Sequence, residues 1–339
     1  MVRMRFLLAA LVSLLAAAAL APASSAQAAN DNAAEHARVV NFWTPDKVAR
    51  AVPRDFVLSA GHFQPATKPP GGGGGGGGTT STVLGASWTG GGLAAETTGK
   101  VLFALGSSYY VCSASVVKDK NTTQSLVLTA GHCVYDETNR QWATNWLFVP
   151  NYDAKAPTLT ASGSFCASTL HGCWAADRLV ASRGFTTAGG FNTQATLHDY
   201  AFAVVSTGGL DSTSQLDATV GAQQASYSDA TSGGDTYLFG YPAAGKYKGK
   251  DLVYSRGPLG TDPWNSNLTY QVASQMTGGA SGGPWLQGFN AASGSGTIKS
   301  VTSYGYSGVK ALFGPKLNAE TEAMFAAADT SSGSANIEY

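Results

Sequence analysis

Ser125-Leu126-Val127-Leu128-Thr129-Ala130-Gly131-His132-Cys133 is the stretch on which the fold turns. Leu126-Val127-Leu128 reads as a buried strand, and Ala130-Gly131 breaks it in a tight turn. A histidine then emerges at the strand end, where a rigid support can present a side chain. The adjacent Cys133 can anchor the turn covalently. About 150 residues further on, Gly278-Gly279-Ala280-Ser281-Gly282-Gly283-Pro284 sets a serine among glycines. Glycine tolerates positive φ, so backbone N–H groups in such a turn can aim at one point. The chain has 42 glycines, so a serine flanked by glycine means little alone. The pairing of the two stretches carries the weight.

Outward from these stretches, apolar runs are short and punctuated by Gly, Asn, Asp and Pro, the rhythm of an all-β chain. Strands are expected at 100–105, 109–117, 125–129, 146–150, 201–205, 236–241, 268–272 and 299–303. Helix is scarce. The best helical spacing lies near the C-terminus, where Leu317, Thr321, Met324, Phe325 and Ala328 recur and Pro315 fits a first turn. Pro69-Pro70, eight glycines at 71–78 and Thr79-Thr80-Ser81-Thr82 cannot pack a core and read as a flexible linker. The expected organisation is a leader at 1–28, a pro-segment at 29–70, the glycine-rich linker at 71–85 and one catalytic unit at 86–339. Residues 29–70, with Val39-Val40-Asn41-Phe42-Trp43, are too few for a confident independent domain.

The leader fixes the compartment. Arg3 and Arg5 precede an apolar run at 6–20, and Ala26-Gln27-Ala28 supplies a small-x-small cleavage pattern, so secretion to the extracellular space is expected. The run is too short and alanine-rich for a membrane anchor, and no later stretch is long enough to span a bilayer. Removing Arg3 and Arg5 from 21 basic residues leaves 19 against 21 acidic ones, which offers no footprint for nucleic acid or an anionic membrane. Four cysteines in an oxidising compartment imply two disulfides, with three pairings open. Cys166, Cys173 and His171 could also be read as a metal site, but the ligand set is incomplete and no metal is expected.

A serine hydroxyl is a poor nucleophile unless a base lies within reach and a third group fixes the base's tautomer. Of five histidines, His132 alone follows a buried strand and a tight turn. Most aspartates between His132 and Ser281 sit among polar turn residues. Asp199 instead precedes Tyr200-Ala201-Phe202-Ala203-Val204-Val205, which would carry its carboxylate into the protein; a strand-capping role is the alternative. Ser281 is the candidate nucleophile, with the N–H groups of Gly279 and Ser281 as candidate oxyanion donors.

Thr129-Ala130-Gly131-His132-Cys133, Asp199-Tyr200-Ala201, Gly279-Ala280-Ser281-Gly282-Gly283-Pro284 and Ser303-Tyr304-Gly305, in that order, resemble the trypsin-like peptidases of the chymotrypsin superfamily. The resemblance covers roughly residues 98–328. It implies two six-stranded antiparallel Greek-key β-barrels with a short C-terminal helix and a site between the barrels. His132 and Asp199 would come from the first barrel and Ser281 from the second. It further implies a serine endopeptidase, monomeric, acting on polypeptides without a cofactor. It pairs Cys112 with Cys133, closing a loop of about 20 residues worth on the order of 3 kcal/mol in the chain-entropy model. Cys166 then pairs with Cys173.

Two departures stand out. Ala280 replaces the aspartate that binds the freed N-terminal amine in trypsin-like zymogens, so activation by that ion pair is unavailable. Release of steric occlusion by residues 29 to about 85 is the expected alternative. Carried across position by position, the primary pocket falls on Gln275 at its base, with Met276 beside it and Ser303, Tyr304 and Gly305 as a wall. No acid sits there to select Arg or Lys, and Thr302 and Ser303 stand where glutamyl-specific relatives use a histidine, so uncharged side chains are expected. The competing reading is a catalytically silent binding protein on the same fold. A Gly-x-Ser-x-Gly hydrolase of the α/β type fits poorly, because no histidine follows Ser281.

Overall fold

The structure, a computed structural model, describes residues 23–59, 62–65, 82–155 and 164–339. The part of the expected leader up to Pro22 and the glycine run fall outside these residues.

The first lobe is a closed antiparallel barrel. Its strands are Thr98–Leu105, Ser108–Val117, Ser125–Thr129, Thr144–Pro150, Trp174–Ala181 and Ala201–Val205. Pairing of Ser108–Val117 with Ser125–Thr129 closes the ring and leaves no free edge among these six. Ser125–Thr129 and Ala201–Val205 are buried throughout, so every side chain on both faces packs inward or under a neighbouring element. The two strands pair with Thr129 opposite Ala201. That register sets the residues after Thr129 beside those before Ala201.

The second lobe places its strands in two six-stranded sheets. One contains Asp235–Gly240, Val253–Pro258, Pro284–Asn290 and Ser295–Val301, and the other Tyr270–Ala273, Tyr304–Tyr306 and Ala311–Gly314. Together the lobes give the two-barrel, mostly-β architecture anticipated from the sequence. The strands at 174–181, 253–258, 284–290, 304–306 and 311–314 were not singled out by their apolar pattern, because Asp177, Arg178 and Arg256 interrupt two of them and glycine or brevity masks the rest.

The C-terminal helix begins later than Pro315 suggests. It spans Ala319–Thr330, capped by Asn318 in a reciprocal capping box with Thr321. The Pro315 carbonyl instead accepts a hydrogen bond from the Ser300 hydroxyl. Residues 83–85, counted with the linker by composition, belong to the strand Val83–Ser87, which finds an open edge on Val253–Pro258. Both expected disulfides form, Cys112–Cys133 and Cys166–Cys173.

The segment before the linker is not independent of the barrels. Its helix Ala23–Phe42 runs across the expected cleavage point after Ala28 and continues into buried Val39 and Trp43, which join the first lobe's core. Trp43 donates its indole N–H to the Asn145 carbonyl at 2.7 Å, and the buried His36 Nε2 meets the Cys173 carbonyl at 3.0 Å. Among the described residues no helix is long and apolar enough to cross a membrane.

Candidate active site

His132 lies on a single 3₁₀ turn, Gly131–Cys133, directly after the strand Ser125–Thr129. The turn is pinned from three sides. Cys133 is bonded to Cys112, the Trp146 indole donates to the Cys133 carbonyl at 3.1 Å, and an added Cβ on Gly131 would meet Phe185 and Asp199 at about their contact limits. Asp199, fully buried at the mouth of the strand Ala201–Val205, holds His132 twice. Its Oδ1 accepts the backbone N–H and its Oδ2 accepts Nδ1–H, each at 2.8 Å. An ionised carboxylate can only accept, so the proton of the neutral ring sits on Nδ1 and the Nε2 lone pair is left free. Nε2 has no partner among the described residues. The Ser303 hydroxyl also donates to Asp199 Oδ2.

The glycine turn around Ser281 abuts this histidine turn. Gly282 has φ of +80°, and a Cβ there would lie 2.1 Å from Thr129 Oγ1 and 2.3 Å from the Ser113 carbonyl. Gly279 has φ of +98°, with the Ala243 backbone nitrogen 2.8 Å from where its Cβ would be. Neither position admits another residue without rebuilding the turn. Ser113, next to Cys112, ties the lobes together. Its N–H donates to the Ser281 carbonyl at 2.7 Å and its hydroxyl to the Gly279 carbonyl at 2.8 Å. His132, Asp199 and Ser281 are thus brought into one buried cluster. Ala280 points away from it into the second lobe's apolar core with Leu238, Val253 and Trp285, where a carboxylate would be desolvated without a partner.

A cavity opens beside Ser281, lined by Met276, Thr277, Thr302, Ser303, Tyr304, Gly305 and Leu312. Gln275, expected at its base, is not part of the lining; its backbone N–H pairs with the Leu84 carbonyl at 2.7 Å because the added strand Val83–Ser87 lies against it. The polar groups of the walls are already engaged. Thr302 Oγ1 accepts from the Trp285 indole at 2.9 Å, Ser303 serves Asp199, and the Tyr304 hydroxyl donates to the buried Asp262 at 2.6 Å. The second lobe therefore contributes no charged side chain to the cavity.

One group at this site was not anticipated. Asp55, from before the linker, reaches Ser281: the serine hydroxyl donates to its Oδ1 at 2.6 Å, and the Gly279 N–H donates to its carboxylate at 3.0 and 3.2 Å. Burial pushes the Asp55 carboxyl above its ordinary range, opposed by the Ser281 hydrogen bond and the nearby His132. No local pattern in the sequence announces such a contact, which joins residues more than 220 positions apart.

A closed β barrel and a second β lobe, with a histidine held by an aspartate and packed beside a serine in a glycine turn, are the marks of a serine peptidase of the chymotrypsin fold. The family model described as the trypsin-like peptidase domain matches residues 112–294, and the chain belongs to that family. It is similar to the crystal structure of the protease Anisep from Arthrobacter nicotinovorans, at 34% identity over 70% of this chain and 96% of that one, with a TM-score of 0.56. It is also similar to a thermostable serine protease, AL20, from an extremophilic microorganism, at 32% identity over 71% of this chain and 100% of that one, with a TM-score of 0.57. A Glu endopeptidase structure, at 16% identity over 74% of this chain and 99% of that one with a TM-score of 0.54, shares the fold. None of the curated proteins compared matches the chain.

Proposed function

We propose that the chain is an exported serine endopeptidase that cleaves polypeptides through an acyl-enzyme, with Ser281 as nucleophile, His132 as base and Asp199 as the group that orients the base. In the first step Ser281 Oγ bonds to the scissile carbonyl carbon while its proton passes to His132 Nε2. The C–N bond then breaks as that proton moves to the departing amine, and a water repeats the sequence to free the acid. Gly279 and Ser281 N–H groups face the developing oxyanion. The observation that carries this reading is the two-point hold of His132 by Asp199, which supports Nε2 as the free acceptor in a turn packed against Ser281. The Gly279 N–H already donates to a carboxyl oxygen of Asp55, which supports its role as an oxyanion donor. The uncharged walls at Met276, Thr302 and Leu312 support a preference for uncharged side chains before the cut. The leader at 1–28 supports export, and a monomer suffices for all of these groups.

The test is labelling with an organophosphorus serine probe and digestion of a peptide library. Modification confined to Ser281 and absent in Ser281→Ala, with cuts mostly after uncharged residues, is the expected result. Absence of both labelling and cleavage under all conditions would favour a silent binding protein on this fold, and cuts mainly after Arg, Lys or Glu would overturn the pocket assignment.

A further inference from the structure

Residues 52–59 cross the site from one lobe to the other as an extended strand. Val52 and Pro53 pair with Tyr110 and Val111 of the first barrel, and Phe56, Val57 and Leu58 pair with Tyr304, Gly305 and Tyr306 of the second lobe. Both pairings are parallel, and the Ser307 N–H adds a bond to the Leu58 carbonyl at 3.0 Å. Between these two attachments Asp55 descends onto Ser281. On one side of it, buried Arg54 bonds to the His132 carbonyl and to Glu137 Oε2 at 3.0 Å, the latter being almost wholly buried. On the other, Phe56 stacks on Phe191 with ring centroids 3.8 Å apart and presents its edge to His132 at 5.5 Å.

We infer that residues 52–59 are a built-in inhibitor of this peptidase, in which the Asp55 carboxylate occupies the oxyanion position and takes the hydroxyl proton of Ser281 as a hydrogen bond. This inference rests on the peptidase reading and names the regulation of the same site. What reaches the nucleophile is a side-chain carboxylate rather than a peptide carbonyl. A carboxylate carbon is a poor electrophile with no amine to expel, so the segment blocks the site without being consumed by it. The serine hydroxyl is turned to Asp55 instead of to the free Nε2 of His132, so the base and nucleophile are kept uncoupled. A Cβ on Gly278 would lie 2.1 Å from Asp55 Oδ2, so the glycine at this position is matched to the inhibitor's approach. The side-chain cavity below Ser281 is roofed by Asp55, Phe56 and Val57, with no residue of the segment assigned to fill it. Ala280 removes the ion-pair switch of trypsin-like zymogens, and displacement of this strand takes its place. The chain between residues 65 and 82, glycine-rich by sequence, is where a cut would separate inhibitor from enzyme.

The test compares organophosphorus labelling of Ser281 in the full-length chain, in Asp55→Ala, and in a full-length chain carrying a site-specific protease sequence within the glycines at 71–78. Asp55→Ala is expected to label at least about tenfold faster than wild type, the size of losing one hydrogen bond. Cutting the third chain should raise its labelling rate on dilution, and adding back a synthetic peptide of residues 45–65 should suppress it again. Equal rates in wild type and Asp55→Ala, with no effect of cutting, would overturn the inhibitor while leaving the peptidase intact. No labelling of any form, cut or uncut, would overturn the peptidase reading and the inhibitor with it. Unchanged circular dichroism and melting of Asp55→Ala would show that a faster rate is not partial unfolding.

Discussion

His132 and Asp199, carried by the first barrel, stand in the mutual geometry that proton transfer needs, whereas Ser281 and Gly279, carried by the second lobe, are held by a carboxylate from before the linker. The two halves of one site therefore differ in readiness. The first half is fixed by covalent and β-ladder constraints that persist whatever occupies the cleft: a disulfide at Cys133 and the Thr129–Ala201 register. The second half depends on which acceptor the Ser281 hydroxyl finds. Latency in this architecture needs no distortion of the histidine side. It needs only a competing acceptor at the serine.

The largest effect tests the fixed half. In an Asp55→Ala background, Asp199→Asn should lower kcat by about 10⁴-fold with the fold retained, because an amide can donate and no longer imposes the Nδ1–H tautomer. Steady-state kinetics beside circular dichroism check it; a loss of only a few-fold would mean that the base is oriented by something other than Asp199. Next in size, Cys112→Ser with Cys133→Ser should cost about 3 kcal/mol in denaturant unfolding, and Cys166→Ser with Cys173→Ser less, since the separations are 21 and 7 residues. An equal cost for the two pairs would break the view that the histidine turn is the more constrained region.

A smaller effect reads the adjustable half through pH. The groups facing Asp55 are Ser281, the Gly279 N–H, His132 and Arg54, the last offset by Asp136 and Glu137. Burial raises the docked carboxyl above its value in a released strand. The docked state then holds more protons than the released one, so docking is strongest below the ordinary carboxylate range and weakens as pH rises through the raised value. The ratio of Asp55→Asn to wild-type labelling rates should accordingly be larger at pH 5 than at pH 8. A ratio that rises with pH would show that the carboxylate docks through its charge alone. The smallest effect lies outside the site: Asn318→Ala should cost about 1 kcal/mol in thermal or denaturant unfolding, the value of one helix cap, without altering labelling.

Local patterns made much of this legible. Leu126-Val127-Leu128 before Gly131-His132, the run after Asp199, and the glycines around Ser281 each encode their own geometry through burial or backbone freedom. The strand Trp174–Ala181 was harder, because Asp177 and Arg178 are paired through Ser206, Ser331 and Gln124, which lie elsewhere in the chain. The helix before the linker has no strong face of its own; its burial comes from docking Val39, and Trp43 just past its end, on the first barrel.

The sequence by itself determined the short-strand β rhythm, the candidate serine, histidine and aspartate, a cysteine count that allows two disulfides and the alanine at position 280, because residue types and short-range spacing act within one strand or turn. The two-lobed arrangement and the cysteine pairing came from the resemblance to the trypsin-like peptidases, and the structure bears them out. Only the tertiary structure decided that Gln275 stands outside the pocket, that Val83–Ser87 joins the second lobe, and that Asp55 lies on Ser281. Each of those depends on long-range pairing between segments whose separate sequences carry no mark of one another.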